Sequence, residues 1–261
     1  MNSGFIGFYQ EKDPYWCFSN WYPCKFIYAG REYSSLEQYM MYRKALIMLD
    51  YDAANKILAT DSPAVVKKLG RSIEPVELNN YAGYKKITTL DIWNENKYFV
   101  VKEGIRAKLL QNKEILDELL NTGNKFIAEC SPKDLVWGCG YSIDDMELPN
   151  VIMEGHIKGA NLLGNIYMEL REEFRNLNAS GLKYVDYSND STVLNSRYIY
   201  EFYLNPLYHN AVSPFCDPMG LNNKSRFLKC TGQEIYSLSR IPGFNEMNQA
   251  ICNIYYKQKN E

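Results

Sequence analysis

Histidine is nearly missing from this chain of 261 residues: only His156 and His209 occur. They stand far apart, with no cysteine or carboxylate at metal-ligand spacing, which argues against a zinc centre. Cysteine is present but unorganised. The seven cysteines, at 17, 24, 130, 139, 216, 230 and 252, contain no CxxC pair and no even framework, so a disulfide-stapled scaffold is excluded and reduced thiols are expected. Long apolar runs are absent too, since no window approaches the ~20 residues of a membrane span. The opening MNSGFIGFYQEKDPYW has no basic region followed by an apolar stretch. A soluble, cytoplasmic protein without membrane contacts is the expectation. Nor is there an excess of one charge: 29 Lys plus Arg face 31 Asp plus Glu, a net charge of −2. That balance excludes attachment to nucleic acid mainly by bulk charge and leaves room for a local basic cleft.

What is present suits a folded protein. Hydrophobic residues make up 46% and charged residues 23%, enough apolar surface for a sizeable core. The length predicts one main domain, residues 1–180, with an accessory region over 181–261. The 22 tyrosines are the compositional oddity. They would serve a Tyr-rich core, or stacking on flat ligands.

Along the chain, FIGFY, CFSNWYP and KFIYAGREY read as short strands or loops. Helix signals begin at Ser34 and Ser35 and continue to about Leu49. A second helix is predicted near Asp52 to Ala59. A third has Ser62 as N-cap, Pro63 at its first position and Gly70 as its stop. Residues 71–80 are irregular. Helical patterns then cover about Ile92 to Leu110 and Asn112 to Leu120, followed by a strand over Lys125 to Glu129. Leu163, Ile166, Leu170, Phe174 and Leu177 recur at steps of three and four and mark the clearest helix. Past Gly181 the texture changes. A strand-like alternation covers Tyr198 to Leu204, prolines punctuate 206–218, and a helix is expected near Phe244 to Tyr255.

Three segments could carry chemistry. In SSLEQYMMYRK, Glu37 and Lys44 stand seven apart, which on a helix returns them almost to one face about 10.5 Å apart along the axis. Helical side chains lean toward the N-terminus, so the amine would reach back toward the acid. Two readings stand here. Ser34 and Glu37 match a capping box, in which Glu37 only bonds backbone and Lys44 is a surface lysine. Ser35 with Gln38 offers the same box one residue later and would leave Glu37 free. In SPKDLVWGCG, Trp137 with Gly138 and Gly140 could stack a base and bring N–H groups to a ligand, or could be a plain turn plugged by the indole. In GHIKGANLLG, Asn161 caps a helix whose start favours phosphate, although ordinary capping is the commoner use. Arg71 could bind phosphate or neutralise the end of its helix.

The order CFSNWYP, GREYSSLEQYMMYRKAL, KKLGR, the stretch around Trp93, IRAKLLQNKEILDELLNTG, SPKDLVWGCG and GANLLGNIYMELRE resembles the NADAR family, which includes the YbiA-like N-glycosidases. The resemblance spans about residues 5–176. It implies an α+β, predominantly helical domain with short N-terminal strands, plus a smaller mixed C-terminal region. It also implies a hydrolase that cleaves the bond between ribose C1 and a base amino group. The substrate would be ADP-ribosylated guanine, in nucleotide or nucleic acid; the alternative is the ribosylamino-pyrimidine phosphates of riboflavin biosynthesis. A module that binds ADP-ribose without cleaving it is a further alternative.

By the same resemblance Glu37 would move protons and Lys44 would form a Schiff base with the sugar. Phe18, Ser19 and Asn20 would line the pocket, while Trp93, Asp134, Trp137, Gly138 and Gly140 would enclose the ligand. Asn161 and Arg71 would meet sugar or phosphate. No metal or organic cofactor is called for. A Lys must lose its proton to act at neutral pH, so Lys44 should be desolvated, with Tyr39, Met40 and Met41 as wall and Arg43 as neighbouring charge. An ion pair would pull both pKa values the wrong way, so Glu37 and Lys44 should not touch. The chain departs from the family at Gln38 and Met41, where His and Gln are common.

Overall fold

In a computed structural model, which describes residues 4–78 and 87–179, the Ser34–Ser35 signals open a largely enclosed helix, α1 (Leu36–Ile47). Ser35 is the N-cap and accepts from the Gln38 N–H at 3.2 Å, while the Gln38 side-chain oxygen accepts from the Ser34 N–H at 2.8 Å. The N-cap is therefore Ser35, the later of the two candidates, with the Gln38 side chain returning to Ser34 one residue before it. Gln38 also donates to the carbonyls of Ile57 and Thr60, so one side chain both caps α1 and ties it to the end of the next helix, α2 (Tyr51–Leu58). Burial along α1 runs round almost the whole helix, from Leu36 to Met41 and again at Ala45 and Ile47. A helix covered on all sides is central by necessity. Its neighbours are α2, α3 (Pro63–Arg71) and α4 (Thr89–Gln111).

The sequence predicts a stop at Gly70, but α3 runs through it to Arg71. The reason is contact and not backbone freedom: a Cβ at Gly70 would collide with the Met41 sulfur, so glycine lets α3 lie directly on α1. Gly104 does the same for α4, where a Cβ would enter the Tyr39 ring. Tyr39 is fully buried, donates to the Val100 carbonyl at 3.1 Å and meets Phe26, Tyr28 and Tyr33 edge-on or tilted. Much of the tyrosine excess is thus core.

Among the described residues the strands are short and form three separate pairs. β1 (Phe5–Phe8) runs parallel to β6 (Phe126–Glu129), placing Phe8 opposite Glu129. β2 (Phe26–Tyr28) and β3 (Arg31–Tyr33) form a hairpin, and β4 (Glu77–Leu78) pairs with β5 (Ile87–Thr88). Helices α5 (Lys113–Asn121), α6 (Leu148–Glu154) and α7 (Leu162–Ala179) complete the α+β fold. α7 buries Leu163, Ile166, Leu170 and Phe174 against β6 and α4, as their spacing predicts. α6 and the β4–β5 pair have too few periodic residues to be read in advance. CFSNWYP begins inside a short 3-10 helix, Trp16–Phe18, and continues into a turn in which the Tyr22 N–H donates to the Ser19 carbonyl at 3.3 Å.

No helix of the described residues is long and apolar enough to cross a membrane. Cys17, Cys24, Cys130 and Cys139 are free thiols. The boundary at residue 181, the strand over 198–204, the proline-rich stretch and the helix near 244–255 lie outside the described residues.

Candidate active site

Because Ser35 and Gln38 close the helix start, the Glu37 carboxyl is not needed there. Its backbone N–H donates to the Asn20 carbonyl at 2.9 Å, which anchors the segment after the 3-10 helix against α1. The side chain is only 2% exposed. Burial pushes its pKa up to about 7, the Asp134 carboxylate adds to the rise, and Lys67, Arg71 and a hydrogen bond from Trp21 hold it back. Lys67 lies over the Trp21 ring, 5.4 Å from its centroid, so α3 brings two cations, and the segment after the 3-10 helix an indole, to one acid.

Lys44 sits two turns further along α1, half-buried, and donates to the Gly70 carbonyl at 2.7 Å. Burial, then the nearby Arg71 guanidinium, lowers its pKa. Arg71, not the expected Arg43, supplies the neighbouring charge; the Arg43 guanidinium lies over the Tyr28 ring at 5.9 Å. Among the described residues no ion pair joins Glu37 to Lys44. Arg71 faces both groups, so one exposed guanidinium favours ionised Glu37 and unprotonated Lys44 together.

The 131–140 loop closes another side. One Asp134 carboxylate oxygen accepts from the Val136 and Trp137 N–H groups, each at 2.9 Å, which shapes the turn while its charge faces Glu37 and Glu129. Trp137 packs partly buried against the main core. Gly138 is required by close approach, since a Cβ would lie 2.8 Å from the Asp134 carbonyl, and Gly140 has a φ of 80° that favours glycine.

Phe18 and Asn161, expected to line the pocket and to meet sugar or phosphate, make internal contacts. Phe18 is fully buried among Phe8, Tyr15 and Tyr167. Asn161 is also fully buried, and its amide accepts from the Glu129 N–H at 3.0 Å and donates to the Ile127 carbonyl at 2.8 Å, so it holds the end of β6. Trp93 packs in the core from α4. Ser19 accepts from the Trp21 N–H, and the buried Asn20 side-chain oxygen has no protein partner among the described residues.

Replacing Asn161 by Ala should cost about 2 to 3 kcal/mol, because a buried N–H and a buried carbonyl lose their partners together. Urea denaturation measures this; an unchanged midpoint would show that the clamp on β6 is idle.

Sequence reasoning missed Trp21, Lys67 and Glu129. Trp21 directly follows the quoted FSN run, and Glu129 ends an apolar strand just before a turn, which is the one local signal available for it. Lys67 gives none, because only the packing of α3 on α1 turns it inward. Among the described residues no group of three or more His, Cys, Asp or Glu side chains could hold a metal ion.

An acid and an amine stand on one buried helix beside two cations, an arrangement able to move protons. The NADAR domain model matches residues 7–175, and this chain belongs to the NADAR family. It is 36% identical over 162 residues to N-glycosidase R617 of Acanthamoeba polyphaga mimivirus, covering 60% of this chain and 86% of that protein. It is 29% identical over 174 residues to N-glycosidase YbiA of Escherichia coli, covering 66% of this chain and 90% of that one. The solution NMR structure of E. coli YbiA superposes with a TM-score of 0.52 at 26% identity, over 71% of this chain and 92% of that one. A third relative, riboflavin biosynthesis protein VVA0006 of Vibrio vulnificus, is 30% identical over 170 residues, which cover 65% of this chain and 38% of that protein.

Proposed function

We propose that this chain, a hydrolase of N-glycosyl bonds like its N-glycosidase relatives, removes ADP-ribose from the amino nitrogen of guanine, in a nucleotide or in nucleic acid. The reaction passes through a Schiff base on Lys44. The observation that carries the reading is the helix α1 pair: Glu37 buried and released from capping, Lys44 half-buried with its charge disfavoured, and Arg71 facing both.

The chemistry balances without any added group. Ring opening breaks C1–O4′ and leaves an imine between C1 and the base nitrogen. The unprotonated Lys44 Nζ adds to C1, a proton moves to the base nitrogen, and the C1–N bond breaks with its electron pair going to the departing amine. Water then adds to the C1=Nζ imine and releases the sugar aldehyde and the Lys44 amine. Glu37 moves protons in these steps, and a pKa near 7 suits a group that must both give and take them.

Support for a phosphate-bearing substrate comes from Lys67 and Arg71 on α3, which bring positive charge to the site opening. Trp21 is 39% exposed and offers a ring for a base to stack on. The appended 181–261 region, which a minimal metabolic enzyme would not need, favours a larger substrate. A second reading, hydrolysis of ribosylamino-pyrimidine phosphates, is favoured by the similarity to the protein named for riboflavin biosynthesis.

Incubation of the full chain with ADP-ribosyl-guanosine and, separately, with a ribosylamino-pyrimidine phosphate, followed by mass spectrometry of the released base, separates the two. Faster release from the pyrimidine compound would replace the first reading by the second. Release from neither, with ADP-ribose bound, would make the protein a binding module.

A further inference from the structure

Glu129 is a partly buried acid whose carboxyl the fold does not use. Its backbone is fully engaged: the N–H donates to Asn161, and the carbonyl accepts from Cys139 N–H at 2.8 Å and Ser131 N–H at 2.9 Å. Those bonds hold the end of β6 and the start of the 131–140 loop whatever side chain stands there. The carboxyl contributes nothing comparable, and its Oε2 is sealed from solvent with no partner among the described residues. A buried, unbonded carboxyl oxygen is costly, and a side chain placed only for packing would not carry one.

Its surroundings say what it is placed for. The charges that face it come from three other parts of the site: Glu37 on α1, Lys67 on α3, and Asp134 and Cys139 on the loop. It therefore stands across from Glu37, at the end of a strand held by the start of α7, so that two acids from different elements converge. They are not equivalent. Glu37 has the Trp21 hydrogen bond and the Arg71 charge, both of which favour its ionised form. Glu129 has Lys67 alone against two carboxylates. Burial, and then Asp134, pushes it up to about 8, while Glu37, with the Trp21 hydrogen bond and two cations beside it, is the better placed of the two to carry negative charge.

We propose that Glu129 is a second catalytic carboxyl of this site, the acid that protonates the nitrogen leaving ribose C1, with Glu37 as the base that activates water. This deepens the N-glycosidase reading above and rests on it. The Glu129 carboxyl gives its proton to the base nitrogen as the C1–N bond breaks and that nitrogen takes the electron pair. The Glu37 carboxylate accepts a proton from water as the new C1–O bond forms. Transfer of that proton from Glu37 to Glu129 restores the pair, and the sum is substrate plus water giving amine plus sugar. Two carboxyls with separated pKa values are the familiar means of running an acid and a base step at one pH.

The test compares wild type with Glu129→Gln, which keeps size and polarity. Base release should fall by roughly a hundredfold or more, and the alkaline fall in activity expected of the wild type should vanish. Borohydride trapping places the step: if Glu129 acts in base departure, the variant should gain less sugar-derived mass on Lys44 than wild type in a single turnover. A variant within about threefold of wild type with the same pH profile overturns the proposal, as does undiminished trapping with slowed turnover. Should the variant not fold, the wild-type profile alone decides, and activity that keeps rising above pH 9 excludes an acid with this ionisation. If the wild type releases no base from either substrate class, the N-glycosidase reading itself has failed, which is a different outcome.

Discussion

Lys44→Ala should abolish base release, by a factor on the order of a thousand or more, while leaving the fold intact. The side chain is half-buried and makes one hydrogen bond, to the Gly70 carbonyl, so its loss costs little packing. Ligand affinity should survive, because Arg71, Lys67 and Trp21 remain. Borohydride added to the active protein with substrate should attach the sugar to Lys44 and abolish turnover. The chain contains a natural control in Lys108. That lysine is fully buried on α4, donates to the Cys17 carbonyl at 2.6 Å, and burial lowers it to about 8. It satisfies the requirement for a depressed pKa but offers no surface to a sugar. Adduct on Lys108 with none on Lys44 would move the chemistry to the other end of the Cys17–Asn20 segment and refute the α1 mechanism.

The second large effect concerns stability, and its sign follows from the direction of the Glu37 shift. The ordinary value is 4.5 and the folded value about 7. Below pH 4.5 both folded and unfolded chains hold the proton, and this group does not favour either. Between 4.5 and 7 the unfolded chain ionises first, so stability falls as pH rises. Above 7 the full penalty of a buried carboxylate is present. Glu37→Gln removes the penalty, and should raise stability at pH 8 by an amount on the order of 1 to 3 kcal/mol with little change at pH 4.5, while base release is lost. Melting temperatures of both proteins across that range measure it. A variant destabilised equally at both pH values would mean that the carboxylate is a structural hydrogen-bonding group and not a reserved acid.

The site is kept at some expense to the fold. Glu37 and Glu129 are both raised by burial, and the nearby Lys67 and Arg71 offset only part of it. Such groups are poor contributors to folding and good proton carriers.

Local physics made most of the helical framework legible. Ser35, Pro63 and the 3.6-residue recurrence from Leu163 to Phe174 announce their helices because capping, fixed φ and one-sided burial act within a few residues of each other. The seven-residue interval placed Glu37 and Lys44 on one face for the same reason, and the second serine at position 35 already hinted that Glu37 could be free. What stayed hidden depends on contacts between distant segments. Gly70 reads as a helix stop until α3 is seen lying on Met41, and Lys67 reads as solvated until that packing turns it toward Glu37. Asn161 resembles a cap for the helix it precedes, yet its amide serves β6, where the Glu129 N–H that it holds lies 32 residues earlier in sequence. Glu129 shows the division most clearly. Its strand was readable from four residues, whereas its role depends on the exclusion of water by α1, α3 and the 131–140 loop, and desolvation belongs to the assembled interior and not to any stretch of chain.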